Sequence, residues 1–280
     1  MINPEADTLT TRDGRTALVM RRRFGRPPAA VWAAITEPPQ LARWFPAEVS
    51  VEPKPGGTIG FGFPAEDGPG MTGRVTEADE PRVFAFEWGE DHLHWEITPE
   101  DEGTLLTLTH TFEDRFGGAS FASGWHLCLT ALGQVLDGEP VDVDSDRGDL
   151  HEAYLEQFDL GGGEIEGGTV RFERQLLRPA AAVWAELTGD STASVGSAVP
   201  HGFTAPAYEE GTVTEAREPE LLAYRTPAGN VIRWSLGQGT GHGARLVLTV
   251  EQRADPGRAR DAWHERVERL AARLLELASA

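Results

Sequence analysis

The sequence has a single cysteine, Cys128, and no apolar run approaching the ~18 residues that a membrane-spanning helix needs. One cysteine excludes an internal disulfide framework and is typical of a reducing compartment. The first seven residues, Met-Ile-Asn-Pro-Glu-Ala-Asp, lack the basic and apolar pattern of a secretion signal. We therefore expect a soluble, cytoplasmic chain that does not insert into a membrane.

Basic residues are also scarce. The 280 residues contain 25 Lys and Arg against 45 Asp and Glu, a formal charge of −20, and Lys54 is the single lysine. A surface this acidic repels phosphate groups, so nucleic acid and anionic membranes are disfavoured as partners. The glycines do not stand between a parallel strand and a helix, so no nucleotide loop is indicated. We predict neither a cofactor nor a nucleic-acid partner.

The most informative feature is an internal repeat. The segment Arg26–Thr36 returns at Arg178–Thr188 with eight of eleven positions identical, and Gly73–Pro81 returns at Gly211–Pro219 with seven of nine. Proline followed by alanines around a Val-Trp pair is typical of a short helix after a strand. Alternating apolar residues predict strands in between, and helical spacing predicts a long helix at the end of each copy. One α+β architecture is therefore predicted twice.

The two copies differ in length. Trp32 and Gly73 are 41 positions apart, whereas Trp184 and Gly211 are 27 apart. The second copy has therefore lost 14 residues, and nothing in it matches Leu41–Phe45. A shortened sheet encloses less volume, so we expect a binding cavity in the first copy.

Glycines suggest where the copies join. The runs at residues 161–163 and 167–168 indicate a flexible linker. We predict a complete first domain at residues 1–160, which includes a C-terminal extension helix. The linker then covers residues 161–168, and the second, shortened domain covers residues 165–280.

The first copy resembles a known superfamily. Its segments Arg26–Trp32, Leu41–Phe45 and Gly103–His110, with Gly124-Trp125 opening the last helix, are similar to the START-like helix-grip (SRPBCC) proteins and to their Hsp90 ATPase activator group. The resemblance implies two tandem helix-grip domains, each a curved antiparallel sheet wrapped around a long C-terminal helix. It also implies a fold used by lipid and aromatic-ligand binders, polyketide cyclases and a co-chaperone domain.

Apolar and aromatic side chains on the inward faces define the candidate cavity. The alternative is a filled core, which is the commoner role for any one of these residues. The candidates, which include one polar residue, are Trp44, Phe45, Phe61, Phe63, Phe84, Phe86, Trp88, Trp95, Leu108, His110, Phe112, Trp125 and Leu129.

His110 is the polar member of that set. On an apolar strand face it could hydrogen-bond a ligand or transfer a proton, or it could be a core histidine whose nitrogens are satisfied internally. The second copy has Val250 at the matching position, so folding does not require histidine there. Arg22 and Arg174 occupy matching inward positions, and we expect both to have a structural role, bonded to carboxylates or carbonyls.

Catalytic and metal-binding patterns are weak. His92, His94 and Glu96 share one strand face with metal-ligand spacing, but further ligands are not identifiable, so we predict no metal site. Cys128 has no paired His or Asp motif and is not expected to be a nucleophile.

Three functions fit the sequence. The first is non-catalytic binding of a small apolar or aromatic molecule in the first domain, with a mainly structural second domain. The alternatives are a cyclase- or aromatase-like enzyme, for which His110 and Arg22 would be the polar residues, and a protein-interaction or chaperone-modulating role with an unidentified protein partner.

Overall fold

A computed structural model describes residues 7–63, 70–143, 148–206, 208, 210–241, 243–251 and 255–277. The chain divides into two compact units, Met1–Ser145 and Asp146–Ala280. Both units are α+β with an antiparallel sheet and a long C-terminal helix, as the sequence predicts. Within the described residues, no helix combines the length and the apolar character needed to cross a membrane.

The described part of the first unit forms an eight-stranded antiparallel sheet in the order β1-β2-β8-β7-β6-β5-β4-β3. Three helices accompany it. The strands are β1 (Thr8–Arg12), β2 (Arg15–Phe24), β3 (Glu48–Val51), β4 (Thr58–Gly62), β5 (Met71–Asp79), β6 (Val83–Trp88), β7 (Asp91–Glu100) and β8 (Gly103–Phe112). The helices are α1 (Pro28–Thr36), α2 (Pro38–Leu41) and α3 (Gly118–Asp137).

Alternating burial produces the core of this sheet. Along β8 every second residue is buried, and these side chains face α3, whose Trp125, Leu129 and Leu132 are buried in turn. Because successive strand residues point to opposite faces, this register fixes which side chains can meet the helix. Strand β1 escaped sequence prediction because four of its five residues are exposed, so its apolar alternation is weak.

The described part of the second unit forms a six-stranded sheet in the order β11-β12-β13-β14-β10-β9. Its strands are β9 (Glu164–Glu166), β10 (Thr169–Gln175), β11 (Thr212–Arg217), β12 (Leu221–Arg225), β13 (Val231–Gln238) and β14 (Ala244–Glu251). Its helices are α4 (Gly148–Gln157), α5 (Ala180–Thr188) and α6 (Pro256–Glu276).

The pairing registers show that the second unit is a shortened copy. His110 pairs with Leu18 in the first sheet, and Val250 pairs with Val170 in the second. The repeated segments even share a bulge, which follows Val75 in β5 and Val213 in β11. Among the described residues of the second unit, no strand corresponds to β3 or β4.

The division between the units differs from the predicted linker at residues 161–168. Gly167 and Gly168 both have positive φ, +57° and +84°, and they form the two-residue turn between β9 and β10. Such a turn requires a left-handed backbone, which glycine adopts without a Cβ clash. These glycines therefore close a hairpin, and α4 belongs to the second unit.

The two matching arginines are structural, as the sequence predicts. Arg22 is buried and donates to both carboxylate oxygens of buried Asp7, at 2.6 and 2.8 Å. Arg174 is buried in the second unit and bonds Glu152 on α4 and Glu268 on α6. A buried guanidinium is stable only while carboxylate partners such as these balance its charge.

Replacing Arg22 by methionine tests this role. The change leaves the Asp7 carboxylate buried without its counter-charge, so we expect the free energy of unfolding of the first unit to fall by about 3–5 kcal/mol. Its neighbour Arg23 is 73% exposed and pairs with Glu100 in solvent, so Arg23→Met should cost less than about 1 kcal/mol. Urea titrations of the full chain measure both, and equal small losses would contradict the prediction.

Candidate ligand-binding site

The space between α3 and the sheet of the first unit is nearly filled by side chains. Among the described residues, the hollow that Trp125 of α3 shares with the sheet has an open volume of about 20 Å³, which is room for about one water-sized group. Phe61, Phe84, Phe86 and Trp95 line this hollow and are all buried. A ligand the size of a ring system does not fit inside it.

A larger pocket lies beside this hollow and opens to the surface. Its volume is about 350 Å³, within the range of small-molecule sites. The described residues that line it are largely apolar, and none is charged: Trp44, Phe45, Pro46, Trp88, Ser120, Phe121, Gly124, Trp125, Leu127, Cys128, Ala131, Val141 and Val143. Four of the sequence-predicted residues therefore meet here, namely Trp44, Phe45, Trp88 and Trp125.

The remaining sequence candidates lie elsewhere. Leu108, His110, Phe112 and Leu129 are buried in the core and do not line the pocket. Phe63 is half-buried and stacks on the outer pocket residue Trp88, with ring centroids 6.1 Å apart. The deeper candidates are thus buried core residues, and those nearer the surface line the open pocket.

Sequence analysis missed the face of α3 that lines the pocket. Ser120, Gly124, Cys128 and Ala131 follow one another at spacings of four, four and three, so they form one stripe of small side chains. A Cβ at Gly124 would meet no atom within 4 Å, so its missing side chain is part of the open volume. The helical spacing of these small residues was the sequence signal for this face. Apolar periodicity points instead to the larger apolar residues beside them.

The outer wall of the pocket comes from the segment that follows α3. The helix ends at Gly138, whose φ of +77° turns the chain back. The Gln134 side-chain amide then bonds the Asp142 backbone twice, donating to its carbonyl at 3.2 Å and accepting from its N–H at 3.0 Å. This two-point contact fixes Asp142 and with it the flanking Val141 and Val143, which line the pocket.

Two of the lining indoles are fixed by hydrogen bonds. Trp44 Nε1 donates to the Ala34 carbonyl at 2.9 Å, and Trp125 Nε1 donates to His110 Nδ1 at 3.1 Å. Because Nδ1 of His110 accepts, its Nε2 carries the proton and donates to Asp91 Oδ2 at 3.0 Å. His110 is therefore a fully buried histidine with both nitrogens engaged, and it acts on the pocket only through Trp125.

The second unit provides an internal comparison for this hydrogen bond. Val250 replaces His110, and Nε1 of Trp263, which replaces Trp125, has no hydrogen-bond partner among the described residues. Rings of Trp234 and Tyr208 pack on Trp263 at 6.0 and 5.6 Å. The fold thus accommodates this tryptophan without a histidine, so the His110 bond serves the first unit specifically.

The surroundings of Cys128 disfavour ionisation of its thiol. Burial raises the pKa of Cys128 to about 12, so the thiolate that would act as a nucleophile is scarce at neutral pH. Its neighbours in the pocket are apolar. Cys128 is therefore a small apolar wall residue in this site.

The histidine pair on β7 is separate from the pocket. His92 Nε2 bonds Thr76 Oγ1 at 3.0 Å, and His94 lies 4.0 Å from Glu77. Desolvation and the neighbouring His94 lower the pKa of His92, which keeps its imidazole neutral at pH 7. Within the part of the chain that the structure describes, no group of three or more His, Cys, Asp or Glu side chains could hold a metal ion.

Two open grooves on the second unit have charged walls. One, of about 680 Å³, includes Arg217 and Arg233, and Arg233 is paired with Glu215 at 2.7 Å. The other, of about 990 Å³, includes Glu152 and Glu268, which are paired with Arg174. These charges already have partners, so neither groove resembles the apolar pocket of the first unit.

Comparison with known proteins confirms the family resemblance of the first unit. A family model described as "Activator of Hsp90 ATPase homolog 1-like protein" matches residues 26–137, less than half of the chain. These residues contain all the pocket-lining side chains except Val141 and Val143. No curated protein is detectably similar to the chain in sequence.

Solved structures with a similar fold include two that cover about half of the chain and one that covers most of it. A conserved protein of unknown function from Enterococcus faecalis is 22% identical, with 55% of this chain and 91% of that chain covered and a TM-score of 0.48. CalU16 from Micromonospora echinospora is 22% identical (55% and 94% covered, TM-score 0.44). DynU16, from the dynemicin biosynthetic locus, is 17% identical. The match covers 92% of this chain and 98% of the DynU16 chain, with a TM-score of 0.43.

The His110–Trp125 bond is tested by His110→Val, which installs the residue found in the second unit. A buried donor then loses its acceptor, so we expect a loss of about 1–3 kcal/mol in the stability of the first unit. The indole N–H resonance of Trp125 should shift upfield in ¹⁵N-resolved spectra. His94→Val, on the outer face of β7, should leave that resonance in place. An unmoved Trp125 signal in His110→Val would contradict the positioning role.

Proposed function

Because the segment that matches the Hsp90-activator-like family model also holds the apolar pocket, we propose that the first unit binds a small, flat, apolar molecule there. The observation that supports this proposal is the pocket itself. Its open volume of about 350 Å³ is lined by five aromatic side chains, those of Trp44, Phe45, Trp88, Phe121 and Trp125. Removal of apolar ligand surface from water stabilises such a complex by roughly 25 cal/mol per Å². In this proposal the second unit is mainly structural.

The pocket is prepared for a flat ligand before one binds. Trp88 and Phe61 are stacked at 4.9 Å, and Phe45 packs on Trp88 and Trp125 at 6.2 and 6.1 Å. Because the indole of Trp125 is fixed by His110, this side chain loses little freedom on binding. Preorganisation of this kind raises affinity because ordering costs are already met in the free protein.

The charge distribution disfavours anionic ligands. None of the described lining residues is charged, and residues 1–145 carry 11 Lys and Arg against 24 Asp and Glu. Glu139 and Asp142 are exposed next to Val141 at the outer wall. Aromatic faces carry partial negative charge and attract cations. An uncharged molecule is therefore favoured over an acid of the same shape.

The cyclase alternative has less support. It requires polar side chains at the ligand, and its two candidates bond elsewhere: His110 to Trp125 and Asp91, and Arg22 to Asp7. Of the described residues that line the pocket, Ser120 has a hydroxyl group, and the thiol of Cys128 is poorly ionised. Binding without chemistry is the function that these groups support best.

Two fluorescent probes of nearly identical shape test the charge preference. N-phenyl-1-naphthylamine is uncharged, and 1-anilinonaphthalene-8-sulfonate adds one sulfonate to the same rings. We expect the uncharged probe to bind at least about tenfold more tightly, because the sulfonate loses hydration without gaining a counter-charge. Fluorescence titration of the full chain at low salt measures both. Tighter binding of the sulfonate would refute this selectivity.

Filling the pocket from α3 tests its location. Gly124→Leu places a side chain in the open volume, and we expect it to weaken N-phenyl-1-naphthylamine binding at least about tenfold while the helix gains up to about 1 kcal/mol from the loss of glycine. The matched control is Gly133→Ala on the same helix, where a Cβ meets Phe24 at 3.4 Å instead of the pocket.

The control should gain similar helix stability and keep the affinity of the wild-type chain. If Gly124→Leu bound the probe as tightly as Gly133→Ala does, the ligand would lie elsewhere and the proposed site would be wrong. Thermal unfolding of both variants establishes that any loss of binding comes from the pocket and not from a damaged fold.

A further inference from the structure

One buried indole in the first unit has an unused donor. Trp95 on β7 is 2% exposed, and its Nε1 has no hydrogen-bond partner among the described residues. The neighbouring Trp44 and Trp125 both donate from Nε1 to protein acceptors. A buried N–H without a partner destabilises the protein by about 1–3 kcal/mol. A ligand that brings a hydrogen-bond acceptor to this N–H would remove that cost and bind more tightly.

This donor lies directly behind the pocket wall. The ring of Trp95 contacts Trp125 at 5.5 Å and Trp44 at 6.4 Å, and both of these rings line the pocket. Trp95 itself lines the 20 Å³ hollow under α3. Trp44, Phe45 and Trp125 line both spaces, so they form the partition between the pocket and the hollow.

Phe45 is the member of that partition that no side-chain hydrogen bond holds in place. Trp44 and Trp125 are held by hydrogen bonds, whereas the half-buried ring of Phe45 is held by packing alone, against Trp44, Phe61, Trp88 and Trp125 at 5.5–6.2 Å. A side-chain rotation of Phe45 needs no hydrogen bond to break. It would join the hollow to the pocket.

We propose that the ligand reaches past Phe45 and places a neutral acceptor oxygen on Nε1 of Trp95. The inference rests on the proposed function and narrows it to flat aromatic molecules that carry a carbonyl at their leading edge, such as aryl ketones or quinones. A hollow of 20 Å³ accepts an oxygen-sized group. The other described side chains that line it are apolar or already bonded, so a carboxylate would find no counter-charge among them.

Fluorenone and fluorene test the proposal because they differ only in a carbonyl in place of a methylene group. Competition against N-phenyl-1-naphthylamine gives both affinities on the full chain. We expect Trp95→Phe to weaken fluorenone binding about tenfold and fluorene binding less than about twofold, since only the ketone loses a hydrogen bond. Trp263→Phe removes a buried indole of the second unit whose Nε1 also has no partner among the described residues, and it should change neither affinity.

The outcomes separate this inference from the proposed function. If both probes bind and Trp95→Phe weakens them equally, the Trp95 contact is wrong and the pocket stands. If neither probe binds the wild-type chain, the proposed function fails. Indole N–H spectra of the wild-type chain give a result even if Trp95→Phe does not fold. The Trp95 resonance should move downfield with fluorenone and not with fluorene, and identical spectra with both would overturn the proposal.

Discussion

The packing of Trp125 between helix and sheet is the contact on which the first unit depends. Its ring packs against Phe45, Trp88, Trp95 and His110, so one side chain joins α3 to the adjacent strands β6, β7 and β8. The hydrogen bond to His110 fixes the orientation of the indole. The same buried indole lines both the hollow and the pocket, so its orientation helps to determine where the pocket lies.

Among the described residues, the aromatic pocket lies in the first copy, and comparison with the second copy gives a physical reason. In the second unit Phe203 fills the space next to the corresponding tryptophans and packs on Trp184 and Trp234 at 5.3 and 5.6 Å. Its carbonyl also accepts bonds from Tyr224 and Trp234. The described second unit lacks strands equivalent to β3 and β4, and its buried side chains form one hydrophobic cluster that includes residues of its sheet and of α6.

In the first unit, the elements that the described second unit lacks move the open volume toward the surface. Residues Leu41–Phe45 and strands β3 and β4 bring Trp44, Phe45 and Phe61 to the end of the sheet. The hollow fills with their rings, and the remaining volume lies outside it, against the small residues of α3. The site is therefore displaced toward the surface, where Gly124 and Cys128 leave space that larger side chains would occupy.

The sequence alone determined the fold class, the duplication and the shortened second copy, because alternation and repeat spacing are local properties of the chain. It also predicted the buried roles of Arg22 and Arg174 and placed Trp44, Phe45, Trp88 and Trp125 on inward faces. Only the tertiary structure decided that His110 is fully bonded, that little of the hollow is open and that the pocket is lined by the small-residue face of α3. These outcomes depend on how side chains from distant strands fill one volume, and periodicity assigns a residue to a face without measuring the space in front of it.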